Sequence, residues 1–255
     1  MVKQIILPNP RNEPAQALYD KELLRLREPG ALQRRLAEID KGKSFRRIYV
    51  MGSGRSGTWL LTHVMGTFSD VEVVRKELPV EYFGLLITEL PVLVLKRDRD
   101  AYQWTQQIPA NIEIVYIVRH PYDVLTSHLP PFPRPYFITP ERWVGQLTAL
   151  RSLVESQRNN VQIIRYEDLV SYPVEWQGKL ADSFRLKIQT PIDVLLTISN
   201  NPTESPLYRS RKLDTSSIGK HKRDPAKLAY LAEIKPQLGD ILGWVGKVYD
   251  YDLEL

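Results

Sequence analysis

The sequence predicts an α/β protein, a parallel β-sheet of about five strands with helices on both faces. Three observations carry this. Five short apolar runs, at Ile48–Met51, Val71–Val74, Val92–Leu95, Ile112–Val118 and Val161–Ile164, are too uniformly apolar for strands wet on one side. Helix-like stretches separate most of them, as crossovers between parallel strands require. A glycine-rich loop, Gly52 to Gly57, follows the first run directly, at the carboxyl end where such sheets bind ligands.

Taken in order, residues 1–44 read as an N-terminal helical accessory segment and residues 45–255 as the main domain. Pro14 to Asp40 has helical composition, with leucines at mixed helical spacings and a break at Pro29-Gly30. Two short helices packed on the domain account for it; a homodimer contact or a cover over the substrate is the functional alternative. Further helices are expected at Gly57–Phe68, Pro79–Leu90, Pro121–His128, Pro140–Gln157, Pro173–Phe184 and Pro225–Ile234. Several begin on proline, whose missing N–H costs nothing in a first turn. Leu129–Phe137, rich in proline and aromatic residues, reads as a rigid connector or as a wall of an acceptor pocket. No internal repeat or low-complexity linker interrupts the chain.

Composition bounds the function classes. A chain of 255 residues with 43% hydrophobic and 25% charged residues can bury an ample core. The net charge of +5 allows an anionic small ligand as readily as nucleic acid. There is no cysteine, which excludes disulfides, thiolate nucleophiles and Cys-based metal sites, and suits a reducing cytoplasm. The N-terminal apolar run is too short for a signal peptide, and no later run approaches a membrane span, so a cytoplasmic protein is expected. His63, His120, His128 and His221 show no paired ligand spacing, so no metal is expected. Neither Ser53 nor Ser56 sits in a G-x-S-x-G elbow, which disfavours a serine hydrolase.

The loop Gly52-Ser53-Gly54-Arg55-Ser56-Gly57-Thr58 has the strand–loop–helix arrangement that cradles a phosphate or sulfate. The ATP-binding version places Lys directly after the second glycine; here that residue is Thr58, and the cation is Arg55 inside the loop. A nucleotide kinase or NTPase is therefore the weaker reading. Farther on, a buried strand delivers Arg119 to the same rim, with Ser127 two turns along the expected helix. Arg119 and Ser127 could both reach one phosphate, although a strand-end arginine could equally pair with Asp123. With the loop, they suggest a ligand carrying two separate anionic groups. The tail carries six Lys or Arg against one acid between Arg209 and Arg223, which also admits a polyanion-binding or nucleic-acid-binding module.

Gly54-Arg55-Ser56-Gly57-Thr58, then Ile117 to Val124 with Ser127, then Arg165-Tyr166-Glu167-Asp168-Leu169, together resemble the sulfotransferases that use 3′-phosphoadenosine 5′-phosphosulfate (PAPS). The matching region runs from about Phe45 to about Pro225. The resemblance implies a P-loop-like sulfotransferase domain over 45–255 and transfer of a sulfuryl group to a small-molecule or carbohydrate hydroxyl, without metal or nucleic acid. It implies that Gly54, Arg55, Ser56, Gly57 and Thr58 bind the 5′-phosphosulfate, with Arg55 as the catalytic cation. Arg119 and Ser127 would hold the 3′-phosphate and Tyr166 would lie near adenine. Lys220, Lys222 and Arg223 would belong to the C-terminal cofactor loop; a solvated basic surface run is the plain alternative. Trp59 stands where many members have a second threonine, and Leu60 where they have the adenine-stacking Trp, so Trp59 lies beside the cofactor without being assigned the adenine platform. For the base that takes the acceptor proton, Glu77 ranks before Asp98 and Glu81. Lys96 would contact the sulfuryl group or the acceptor.

Overall fold

The computed structural model describes residues 13–97, 101–129, 134–194 and 215–255. Strands β1 (Arg46–Gly52), β2 (Val71–Leu78), β3 (Val92–Arg97), β4 (Ile112–Val118) and β5 (Val161–Arg165) form one sheet in the order β2-β3-β1-β4-β5. Every pairing is parallel. The helices that lie wholly among the described residues include α1 (Glu13–Leu26), α2 (Ala31–Gly42), α3 (Thr58–Met65), α4 (Pro121–Leu125), α5 (Pro140–Glu155), α6 (Tyr166–Ser171), α7 (Pro173–Phe184), α8 (Pro225–Ile234) and α9 (Gly239–Tyr249).

The two-residue period of the strands divides the interior into two cores. Ile48 and Val50 of β1 pack with Leu61 and Met65 of α3 and with Leu180 and Phe184 of α7. Tyr49 and Met51 face the opposite way, into a larger core with Leu36 of α2, Trp143 and Leu150 of α5, and Ile241 and Val245 of α9. Both faces of the sheet are thus covered, which is why the inner strands β1, β3 and β4 read as nearly continuous apolar runs. The N-terminal helices join the larger core through Leu23, Leu32, Leu36 and Ile39. Arg47, buried in β1, ties α2 down by donating to Asp40 Oδ1 at 2.8 Å.

Prolines begin α4, α5, α7 and α8 as the sequence predicts, and Thr139 and Asp224 cap α5 and α8 with their side-chain oxygens. Three expectations change. Pro79–Leu90 is not one helix; only the single 3₁₀ stretch Val80–Gly84 forms. Tyr82 and Phe83 are drawn into the core, and Gly84 lies against Leu26 and Leu32 of the N-terminal helices, so packing rather than a helical period sets this path. Helix α4 ends at Leu125, so Ser127 follows the helix instead of lying two turns along it. Strand β2, at the sheet edge, runs past Val74 to Leu78 and is exposed over Arg75–Glu77. No helix among the described residues is long and apolar enough to cross a membrane.

Candidate active site

The order β2-β3-β1-β4-β5 sends the chain to opposite sides after β1 and β3, so a crevice opens at the carboxyl end of β1 between β3 and β4. The glycine-rich loop lies in that crevice. A turn closes it from Ser56 N to Ser53 O at 3.2 Å, and Ser56 Oγ donates to the same carbonyl at 2.8 Å. Gly57 precedes α3 with φ 105°, and a Cβ there would stand 2.5 Å from Tyr166 Cδ2. Only glycine lets the N-terminus of α3 approach α6 so closely. The first N–H groups of α3, beginning with Thr58, then face the loop side, where an intrahelical acceptor is lacking.

Arg55 adopts φ 68°, a conformation that is costly for a long side chain and recurs at functional sites. Two bonds hold it. Its Nε donates to Ser127 Oγ at 2.9 Å, and its carbonyl accepts from Arg119 Nη1 at 3.1 Å. Arg119 also donates from Nη2 to Ser217 O at 2.8 Å, and its guanidinium lies 4.4 Å from the centroid of the Tyr166 ring. Tyr166 Oη is in turn 2.7 Å from Ser217 Oγ. Arg55, Ser127, Arg119 and Tyr166 therefore form one continuous cluster. Arg119 Nε is buried without a hydrogen-bond partner among the described residues. Arg47 Nε and Arg165 Nε share this state, so it is the placement of the Arg119 guanidinium beside Arg55 and the loop that fits the cluster to a phosphate-bearing ligand.

The other side of the crevice is built from side chains. A register shift in β2 between Val74 and Glu77 brings Glu77 beside Lys96 of β3. Lys96 Nζ donates to Glu77 Oε1 at 2.5 Å and lies 4.6 Å from the centroid of the Trp59 ring. The Lys96 side chain is 1% exposed and that of Glu77 50%, so the carboxylate reaches solvent while the ammonium does not. Burial lowers the Lys96 pKa, and the Glu77 charge and hydrogen bond oppose that shift. Trp59 offers a ring face to Lys96, and its neighbour in α3 is His63. Glu81, third among the candidate bases, is buried and accepts from Arg27 Nε at 3.0 Å, so it fastens the N-terminal segment. Asp98 lies outside the described residues, as do residues 130–133 of the proline-rich connector and the tail up to residue 214. Phe137 and Ile138, from the end of that connector, pack against Gly54.

The C-terminal basic segment makes contacts of its own. Lys222 pairs with Asp252 at 2.7 Å, and Arg223 donates back to the carbonyls of Ser216 and Ile218. Lys220 is exposed. Ser217, which the sequence did not single out, contacts both Arg119 and Tyr166. Asp123 bonds His221 rather than serving Arg119 alone, and His221 stacks on His120 with centroids 4.6 Å apart. No sequence signal could have joined these groups, because His221 lies far along the chain in a run whose charges dominate its reading.

No protein-family model matches the sequence, and no curated protein matches it. Solved structures do. The sulfotransferase domain from the curacin biosynthetic pathway aligns with a TM-score of 0.58 at 16% identity, covering 83% of this chain and 100% of that one. The sulfotransferase domain from the Synechococcus PCC 7002 olefin synthase gives 0.59 at 14% identity, covering 83% and 98%. The fold is that of the sulfotransferases. Mouse sulfotransferase SULT7A1, complexed with PAP, aligns with a TM-score of 0.50 at 13% identity over 89% of this chain and 95% of that one. At such identities the likeness is one of architecture, and the case for activity rests on the residues themselves. Within this sulfotransferase fold, the glycine-rich loop follows the central strand β1 and Arg119 follows β4, its neighbour in the sheet.

Proposed function

We propose that the chain transfers a sulfuryl group from PAPS to a hydroxyl of a small-molecule or carbohydrate acceptor. The carrying observation is the joining of Arg55, Arg119 and Ser127 into one cationic cluster beside a loop and helix N-terminus that already suit one anion. Two anionic groups on one ligand fit this arrangement; a simple nucleoside triphosphate, lacking a 3′-phosphate, leaves the Arg119 side unused.

In this reading Ser53–Thr58 and the first turn of α3 hold the 5′ end of the donor, while Arg119, Ser127 and Tyr166 hold its adenosine 3′-phosphate end. When bound, the donor supplies a sulfuryl group activated by its link to phosphate. Glu77 accepts the acceptor hydroxyl proton as the hydroxyl oxygen bonds to sulfur, and the bond from sulfur to the bridging oxygen breaks. Arg55, which keeps its proton throughout, offsets the charge left on the departing phosphate. Lys96 fixes the Glu77 carboxylate through their hydrogen bond and is screened from water by Trp59. The exposed half of Glu77 gives an acceptor access, and Phe137 and Ile138 supply apolar wall beside Gly54.

Thermal unfolding with added ligand tests the donor. Adenosine 3′,5′-bisphosphate is expected to raise Tm at concentrations where ATP with Mg²⁺ does not. Stabilisation by ATP with Mg²⁺ and none by the bisphosphate would replace this reading with a kinase or NTPase.

A further inference from the structure

The side chain of Asp123 is 0% exposed at the start of α4, and both of its oxygens are engaged. Oδ2 accepts from Gly219 N at 2.7 Å; Oδ1 accepts from His221 N at 3.2 Å and from His221 Nδ1 at 2.8 Å. All three donors belong to one short stretch of the C-terminal segment. The His221 ring, 1% exposed, is stacked on His120 and met edge-on by Tyr122, and its Nε2 has no partner among the described residues. The bond to Asp123 therefore assigns the ring proton to Nδ1.

His120 is fixed as firmly as the ring it supports. Its Nδ1 accepts from Tyr122 N at 3.3 Å, its Nε2 lies 2.8 Å from Asp252 O, and its N–H donates to Glu167 Oε1 at 2.9 Å. Tyr251 Oη donates to the other oxygen of Glu167 at 2.9 Å, and Tyr122 Oη donates to Leu253 O at 2.9 Å. The residues after α9 thus strap the back of the stack.

Two residues upstream of Gly219, the Ser217 carbonyl takes Arg119 Nη2 and the Ser217 hydroxyl meets Tyr166 Oη. Fixing Gly219 and His221 therefore fixes the wall that closes around Arg119. Lys222 is turned to Asp252 and Arg223 to the segment's own carbonyls, so the contacts made to Arg119 and Tyr166 come from Ser217.

We infer that Asp123 and His221 are positioning residues for the 3′-phosphate subsite, a buried carboxylate–imidazole latch that clamps the C-terminal segment so that Ser217 completes the Arg119–Tyr166 cluster. This rests on the PAPS reading of that cluster. It predicts selectivity: loosening the latch harms ligands bearing a 3′-phosphate more than those without one.

Calorimetric titration of the full chain with adenosine 3′,5′-bisphosphate and with 5′-AMP, together with amide hydrogen exchange of the unliganded protein, tests it. In His221→Leu the bisphosphate affinity is expected to fall about tenfold or more while AMP affinity changes by no more than about twofold. The Gly219 and His221 amides should exchange faster in that variant. His221→Asn, which retains a side-chain N–H donor close to the Nδ1 position, should restore most of the bisphosphate affinity and the slow exchange. Equal losses for both ligands, unchanged binding with unchanged exchange, or no rescue by Asn would each overturn the latch. Wild-type protein that fails to bind the bisphosphate would instead overturn the functional reading on which the latch depends.

Discussion

The two sides of the crevice are made by different means. On the β1/β4 side, the proposed anion site is largely a matter of backbone: a tight turn, a helix N-terminus, and arginines whose partners are mostly carbonyl oxygens. On the β2/β3 side the chemistry rests on one pair, Glu77 and Lys96, brought together by a register shift and shielded by Trp59. Backbone cradles come from short contiguous stretches of sequence, whereas a side-chain pair across two strands depends on register, which no local pattern records. In the proposed reaction the first side would bind and the second would act, so the two sides should fail differently when altered.

The largest expected effect belongs to the second side. Glu77→Gln should lower the transfer rate by about 10²–10⁴-fold while bisphosphate affinity stays within about twofold, as steady-state kinetics and titration would reveal. Unchanged turnover would remove Glu77 as base. On the first side, Arg119→Ala should weaken bisphosphate binding by about a hundredfold, on the order of 3 kcal/mol, through loss of a charged donor at a partly buried site. An effect confined to kcat would contradict a binding role.

A smaller effect concerns acid stability. Burial alone would raise the Asp123 carboxyl pKa, but the His221 hydrogen bond, the Arg119 charge and two backbone N–H groups bring it from 3.8 down to about 2. A depressed carboxyl pKa contributes stability above its unfolded value, and that contribution disappears as pH falls from 3.8 through about 2. It is worth about 2 kcal/mol. Asp123→Asn should therefore be less stable than wild type near neutrality, yet lose less on acidification, as denaturant melts at the two extremes would measure. The smallest effect is expected from Trp59→Leu, which should cost about 1 kcal/mol of stability and change bisphosphate affinity by less than about twofold. A large loss of affinity would return Trp59 to the cofactor and blur the distinction between the two sides.

Much of the fold could be read because it rests on contiguous apolar runs and proline-started helices. Ile112–Val118 and Pro173–Phe184 occur with the bounds their sequence implies. Helix α9 escaped because Gly239, Gly243 and Gly246 give it poor intrinsic propensity; burial of Ile241, Leu242 and Val245 stabilises it instead. The stretch 79–90 misled for the converse reason, since its residues suit a helix but Tyr82 and Phe83 are claimed by the core. In the site, the loop and Arg119 were visible as motifs. Ser217 and the Asp123–His221 pair were not, because hydrogen bonds between distant segments leave no periodicity.

The register shift in β2 has an effect beyond the crevice. Arg75 and Lys76 lie within it, exposed at the outer strand of the sheet, between the residues that pair with Leu95 and Lys96. A second strand adding to this edge would meet an irregular ladder and two cations, and a second copy of this chain adding edge to edge would bring those cations against their own equivalents. The irregularity that seats Glu77 beside Lys96 therefore also makes this edge of the sheet a poor template for a further strand.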